Sequence, residues 1–457
     1  MTGPPPALDV QELLENMRLG RSQIVTFGLC VLILFVDGLD YSAANVAAPT
    51  ILRTFHAGKD AMGTVFGWGY FGIFLGSIVF GAIGDKYGRK TGAVLGVLAY
   101  SLPALLTVFA TSLDQIAIYR CLAGLGIGGV LPNTVALLTE TAPKRARATF
   151  VMAAFVGYSM GNASIGQVAA WLMPHYGWSI VFLVAGVAGT VLSVMLLFLL
   201  PESIPFLAAT QPASPRLKKL AARALPDAQI GDETRFASSK LERKQRFLLK
   251  QLFEGERRTA TPILWLAFFA ESLTYMTLTA WLAVLLESAG LPQRQAALAY
   301  SYAQFGAIVA LLTFARLIDR FGPKAGAVSA ILAVVAVLSL GITGLSPALI
   351  VLCAIFAVAC GSATHNALIG LVGSFYPTEI RGNGIGYASG MGRIAAIIGP
   401  VAAGYLLLKF PIGYGLAFIA LPDLVVAAAC IRLHRCTRTG IATSVSPIAV
   451  RHANPAL

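Results

Sequence analysis

Asp37 and Asp40 stand three residues apart inside an apolar run from Ile24 to Ala48. A charge near the centre of a bilayer costs at least about 2.5 kcal/mol, so such groups face a protein interior or a wet cavity. At about 100° per residue both acids share a helix face with Tyr41, Ala44 and Ala48, while Phe35, Leu39 and Val46 point the opposite way. Burial favours the neutral form of a carboxyl and a nearby cation favours the ionised form, so a carboxyl whose surroundings change can load and release a proton. Glu271, in a second apolar run, is the third residue of this kind. Any of the three can instead brace a bent helix through backbone or water.

Two intramembrane cations complement the acids. Arg120 lies in Tyr119-Arg120-Cys121-Leu122-Ala123-Gly124-Leu125-Gly126-Ile127-Gly128-Gly129, where small residues let another helix approach and the guanidinium needs a carboxylate. By helical rise Arg120 sits about 8 Å and Asp40 about 12 Å below the outer boundary, close enough in depth to couple. That pair is either purely structural or part of a cycle of binding and release. Arg393, about 15 Å into its run, either locks onto Glu271 or meets an anionic ligand. Tyr41, His365 and Asn366, with Asn133, Asn162, Gln167 and Gln304, offer hydrogen bonds to a ligand or glue between helices. Trp68, Tyr70, Tyr275, Trp281, Tyr302 and Tyr387 can stack on an aromatic ligand or face lipid.

The elements that position these groups follow from composition. In 457 residues, 57% are hydrophobic and 12% charged, and the mean hydropathy of +0.75 excludes a soluble protein with a charged surface. Twelve apolar runs of spanning length occur as six, a break, and six more, predicting an all-α membrane protein. The expected divisions are an N-terminal segment 1–23, a six-helix half 24–200, a charged loop 201–260 with a short surface helix near Lys240 to Phe253, a second half 261–433, and a tail 434–457. With both termini in the cytoplasm, 28 of the 34 Lys and Arg fall on that side. The net charge of +13 therefore reports topology, and nucleic acid is not an expected partner. The six cysteines show no disulfide or metal spacing, no cofactor is implied, and the first helix is expected to act as the insertion signal.

The halves repeat. Gly84-Asp85-Lys86-Tyr87-Gly88-Arg89-Lys90 recurs 234 residues later as Ile318-Asp319-Arg320-Phe321-Gly322-Pro323-Lys324. The same offset carries Pro143 and Arg147 onto Pro377 and Arg381, and Asp37 onto Glu271. An even number of spans per half makes the repeats parallel, the plan of a carrier that rocks about a central site. Asp85 and Arg89 suit a cytoplasmic gate, with Glu140 beside Arg145 or Arg89 and with Glu379 and Arg381 opposite Asp85. Asp319 marks the second copy, whose gate is weakened by Pro323 in place of an arginine. Alternatively these charges only fix topology.

The stretch beginning at Gly81 resembles the loop signature of the major facilitator superfamily, Gly-x-x-x-Asp-(Arg/Lys)-x-Gly-Arg-(Arg/Lys). Asp37-Gly38-Leu39-Asp40, Arg120 with its glycines, Pro201-Glu202-Ser203 and Phe375-Tyr376-Pro377-Thr378-Glu379-Ile380-Arg381-Gly382 leading to Gly392-Arg393-Ile394 resemble its aromatic acid:proton symporter family. The resemblance covers nearly the whole chain. It implies uptake of an aromatic carboxylate such as a hydroxybenzoate, protocatechuate or a hydroxyphenylpropionate, driven by protons across a bacterial inner membrane by a monomer. It further implies roles for Asp37 and Asp40 in transport, Asp85 and Arg89 in the gate, and Arg120, Arg381 and Arg393. Other expectations compatible with the chain are carriage of a sugar or another organic anion, export, or reception without flux. An enzyme is not expected, since the sequence has no Walker loop, nucleophile elbow or His-rich metal cluster.

Overall fold

The computed structural model describes residues 8–9, 19–212, 214–224, 236–237, 249–255, 257–377 and 380–436. Its spans, in order, are Arg21–Thr54, Lys59–Tyr87, Arg89–Thr107, Leu113–Thr141, Arg147–Tyr176, Ser179–Leu199, Arg257–Ser288, Gln293–Phe321, Pro323–Ser339, Pro347–Phe375 and Arg381–Lys409. The twelfth is Ile412–Ala420 continued by Pro422–Cys436, interrupted where Pro422 cannot donate a backbone hydrogen bond. Eleven of these are long and apolar enough to cross a membrane; the ninth, Pro323–Ser339, is apolar but shorter. Ser112 and Ser346 start the fourth and tenth spans by accepting from the backbone N–H of Gln115 and Leu349. Inner and outer below mean the side that carries Arg21 and Cys436 and the opposite side.

The loop between the halves holds helices Ile204–Thr210 and Pro215–Ala224 and a 3₁₀ turn, Leu249–Phe253. Of the surface helix expected near Lys240 to Phe253 only that turn falls among the described residues. Leu8–Asp9 pairs in parallel with Phe236–Ala237, which brings the N-terminal segment to the central loop.

Packing repeats between the halves. In the first, the fourth span packs on the second and third, the sixth on the third, and the fifth on the first. In the second, the tenth packs on the eighth and ninth, the twelfth on the ninth, and the eleventh on the seventh. The halves meet along the first and seventh, second and eleventh, and fifth and eighth spans, a set unchanged when the halves exchange. Each half has its own apolar cluster, around Leu34, Val97 and Leu137 in one and Leu264, Leu368 and Val426 in the other. A third, larger cluster joins them through Ala43, Ala47 and Ile51 of the first span and Leu278, Trp281, Leu282 and Tyr300 of the seventh and eighth.

This joint lies from the midplane outward. There the Tyr300 hydroxyl donates to Ser42 Oγ (2.9 Å), Ser301 Oγ donates to the Ala163 carbonyl (2.7 Å), and Gly63 abuts Pro400 and Val401. Gly81 shares the face of Gly63, five turns inward, and Gly386 and Gly390 continue the face of Ile397 and Val401. At these inner glycines a side chain would meet nothing within 4 Å. The second and eleventh spans thus touch at their outer ends and part at their inner ends.

Candidate functional site

The intramembrane charges of the first half form one buried assembly. Arg120 Nη1 donates to Asp40 Oδ2 (3.1 Å) and Nη2 to the Asp40 carbonyl (3.3 Å), with the two side chains 6% and 0% exposed. The guanidinium also lies 5.8 Å from the Phe182 ring centroid. Glycines bring the fourth span to this depth: a Cβ on Gly124 would stand 2.4 Å from the Gly69 carbonyl, and one on Gly72 would stand 2.1 Å from that of Cys121. Asp37 is buried within electrostatic reach of Asp40, Tyr100 and Tyr158, and its Oδ1 has no hydrogen-bond partner; neither has Asp40 Oδ1.

Arg120 opens onto a cleft lined by Tyr41, Asn45, Phe66 and Tyr70. The Tyr41 and Tyr70 hydroxyls are 3.2 Å apart, and the Tyr41 ring lies edge-on to Tyr70 (6.1 Å) and tilted against Tyr158 (5.9 Å). Tyr41 also donates to Met276 Sδ (3.2 Å), so this wall ends on the second half. A buried cation beside clustered phenols can hold a carboxylate and pack an aromatic ring.

In the second half Glu271 Oε2 lies 2.9 Å from His365 Nδ1, and the imidazole stacks on Tyr275 (6.0 Å between centroids, 23° between planes). Glu271 therefore has His365 as its hydrogen-bond partner, and the alternative of a Glu271–Arg393 lock is not what forms. Arg393 is half-buried on the eleventh span. Asn366 donates to the Ser362 carbonyl of its own helix (2.7 Å). Asn133 donates to the carbonyls of Phe80 and Gly129 (2.9 and 2.8 Å), which is glue between the second and fourth spans. Asn162 accepts from Ser42 (2.9 Å) and so extends the Tyr300–Ser42 link to the fifth span. One buried acid escaped the sequence reading: Asp423, 1% exposed, in the twelfth span. Its signal was the one that marked Asp37, a carboxylate inside an apolar run.

At the inner surface Arg89 donates to Asp85 Oδ1 (2.5 Å) and Glu140 Oε1 (3.3 Å), joining the second, third and fourth spans. Glu202 Oε1 accepts from the backbone N–H of Lys90 and Ser203 (3.0 Å each), placing a carboxylate at the N-terminus of the third span. Arg145 is exposed, and Arg381 Nε donates to the Tyr376 carbonyl (3.3 Å). Glu379 and the Asp319 side chain lie outside the described residues.

The model of the Major Facilitator Superfamily matches residues 30–400 and 264–444. The chain is 32% identical over 425 residues to a gallate transporter of Pseudomonas putida, covering 92% of this chain and 94% of that protein. It is 31% identical over 408 residues to the 4-hydroxybenzoate transporter PcaK of Acinetobacter baylyi, covering 88% of each. To the 3-(3-hydroxy-phenyl)propionate transporter of Escherichia coli it is 30% identical over 407 residues, covering 88% and 92%. Among solved structures, an inward-facing bacterial homolog of the human lysosomal transporter Spinster superposes with a TM-score of 0.68 at 15% identity, covering 94% of this chain and all of that one. A twelve-helix fold in two exchangeable halves, a family match over most of the length and relatives at this identity agree: the chain is a transporter, not an enzyme, and belongs to the Major Facilitator Superfamily.

Proposed function

We propose that this transporter takes up an aromatic carboxylic acid together with protons by alternating access. The observation that carries the reading is the buried Asp40–Arg120 pair opening onto a cleft of phenol rings. A proton on Asp40 weakens its hold on the guanidinium, and Arg120 then takes the carboxylate of the substrate through two parallel N–H bonds. The substrate ring packs against Tyr41, Tyr70 and Phe66. Asp40 and the substrate compete for one cation, so loading a proton goes with binding the anion, and loss of both restores the pair. The relatives named for gallate, 4-hydroxybenzoate and 3-(3-hydroxy-phenyl)propionate transport support an aromatic acid as cargo.

In this reading Asp37 and Glu271 share the proton work, and Arg393, His365 and Asn366 line the second half's side of the path. Asp85, Arg89, Glu140 and Arg145, with Arg381, Glu379 and Asp319, hold and release the inner gate. The protein works as a monomer in a bacterial inner membrane, with segments 1–23, 201–260 and 434–457 in the cytoplasm and halves 24–200 and 261–433 in the bilayer; the basic excess on the inner side supports this orientation. Each net charge moved gains about 2.3 kcal/mol per 100 mV of membrane potential, so the proton count sets how far uptake concentrates its cargo.

The test is uptake of labelled benzoate, 4-hydroxybenzoate, protocatechuate and 3-(3-hydroxyphenyl)propionate by cells expressing the protein, with and without a protonophore, beside Asp40→Asn. Accumulation of one acid that collapses in both controls supports the reading. If well-expressed protein moves none of them, the assignment of cargo fails and sugars and export substrates are next.

A further inference from the structure

The second half contains a buried carboxyl that the Asp40–Arg120 cycle does not use. Neither oxygen of Asp423 has a hydrogen-bond partner, although the residue is 1% exposed. The titratable groups that face it are Glu271 from the seventh span, Cys360 from the tenth and Cys430 from its own helix, with the Thr274 hydroxyl alongside. None of them is a cation. Two carboxylates in such a place repel each other, and a proton on either relieves the repulsion.

Glu271 connects this pocket to a more accessible group. Its Oε2 meets His365 Nδ1 (2.9 Å) and the Ser272 hydroxyl (3.2 Å), while its Oε1 has no partner. The His365 side chain is 29% exposed against 1% for Glu271. The three groups thus run from an accessible imidazole through a buried carboxyl to a second, deeper one.

The arrangement belongs to this half alone. The offset that carries Asp37 onto Glu271 and Tyr41 onto Tyr275 carries Gly189 onto Asp423 and Tyr100 onto Val334. In the first half the Tyr100 ring packs on Gly189, 3.0 Å from where a Cβ would stand, and a phenol is what Asp37 has nearby. In the second half the ring is replaced by valine and the glycine by an acid.

We propose that His365, Glu271 and Asp423 form a second proton-binding site, with the imidazole as its entrance and Asp423 as its buried end. Loading adds one proton at His365 Nε2 while Nδ1 gives one to Glu271 Oε2, which takes the carboxyl pair from one negative charge to none. Unloading reverses both transfers. Asp423 acts as a positioning residue: its carboxyl, coupled to Glu271 by repulsion, splits protonation of the pair into two steps and so sets the pH at which the site fills.

The inference rests on the symport reading, and its experiment separates the two. Purified protein is reconstituted in vesicles with an internal pH dye, and labelled 4-hydroxybenzoate and proton entry are measured together for wild type, Asp40→Asn, Glu271→Gln and Asp423→Asn. Glu271→Gln is expected to carry one proton fewer per substrate while still exchanging substrate. Asp423→Asn is expected to move the pH profile of uptake to higher pH, because a lone carboxyl fills at a pH between the two steps of a repelling pair, and loading uses the lower step. In substrate-free protein, the infrared carbonyl band of a buried carboxylic acid is expected to weaken in Asp423→Asn, a readout that stands even if wild type moves no protons. An unchanged proton ratio in Glu271→Gln, an unmoved pH profile in Asp423→Asn, or coincident infrared spectra would overturn the second site. Failure of wild type to move protons, with the infrared band present, would overturn symport instead.

Discussion

Arg53 and Glu287 are related by the 234-residue offset that superimposes the two halves, and they pair with each other at the outer ends of the first and seventh spans. Positions near an axis of pseudo-symmetry meet their own equivalents, so divergence there sets residue against residue. Arg53 also donates to Thr50 Oγ1 (3.0 Å) and Gln293 Oε1 (3.4 Å), which ties the eighth span to the same corner. Outward opening has to break all of these contacts. The Arg53 side chain is 52% exposed, and pairs of this kind contribute about 0.2–1 kcal/mol. Arg53→Glu is therefore expected to raise the outward-open population up to about fivefold. Labelling of Asn45→Cys by an impermeant maleimide reports it, and Glu287→Arg in the same chain is expected to bring labelling back. A double variant that labels like the single one rules out the pairing.

Arg120 makes two bonds to one residue, to the side chain and to the carbonyl of Asp40, and a lysine ammonium cannot match that fork. Arg120→Lys is expected to lose uptake at least tenfold with the protein still folded. Arg120→Ala leaves Asp40 buried without its cation, and is expected to cost about 3–5 kcal/mol. Thermal unfolding in detergent separates the two. If Arg120→Ala melts with wild type, the pair does not hold the first and fourth spans together.

The close contact of the second and fourth spans predicts a contrast between two glycines. Gly124→Ala puts a methyl 2.4 Å from the Gly69 carbonyl and is expected to destabilise by about 1–3 kcal/mol. Gly390→Ala meets open space on a helix, where alanine is favoured by up to about 1 kcal/mol, so its unfolding temperature is expected to hold or rise. Equal losses in both would contradict the contact.

Glu202 caps the third span from a distant segment. Glu202→Ala frees the Lys90 and Ser203 N–H groups and is expected to cost about 1–2 kcal/mol. Gly88 faces the same carboxylate at φ +108°, where a Cβ would stand 2.2 Å from Glu202 Oε2, so Gly88→Ala is expected to cost at least as much. Pulsed proteolysis of the inner loops measures both. An unchanged cleavage rate in Glu202→Ala would mean that the cap contributes nothing.

Much of this protein was written in local pattern. Apolar runs fix the spans because unsatisfied backbone polar groups cannot lie in hydrocarbon, and the distribution of lysine and arginine pointed to one orientation. The offset of 234 residues placed equivalent positions in two halves, and helical depth alone brought Arg120 to the level of Asp40. These are properties of period and length, which a sequence states directly.

Partner choice was not legible in the same way. Depth allowed Glu271 to pair with Arg393, yet the structure turns it to His365, because facing depends on the rotation of each helix about its axis and that is decided by packing. Asp423 carried the same signal as Asp37, an acid inside an apolar run, but its burial and its neighbours came only when the seventh, tenth and twelfth spans closed around it. The Arg53–Glu287 pair and the parting of the second and eleventh spans at their inner ends belong to the arrangement of the two halves. The sequence determined where each helix lies in depth and which residues are too polar for lipid; the tertiary structure decided which of them face one another, because one rotation of a helix can satisfy only some of its possible partners.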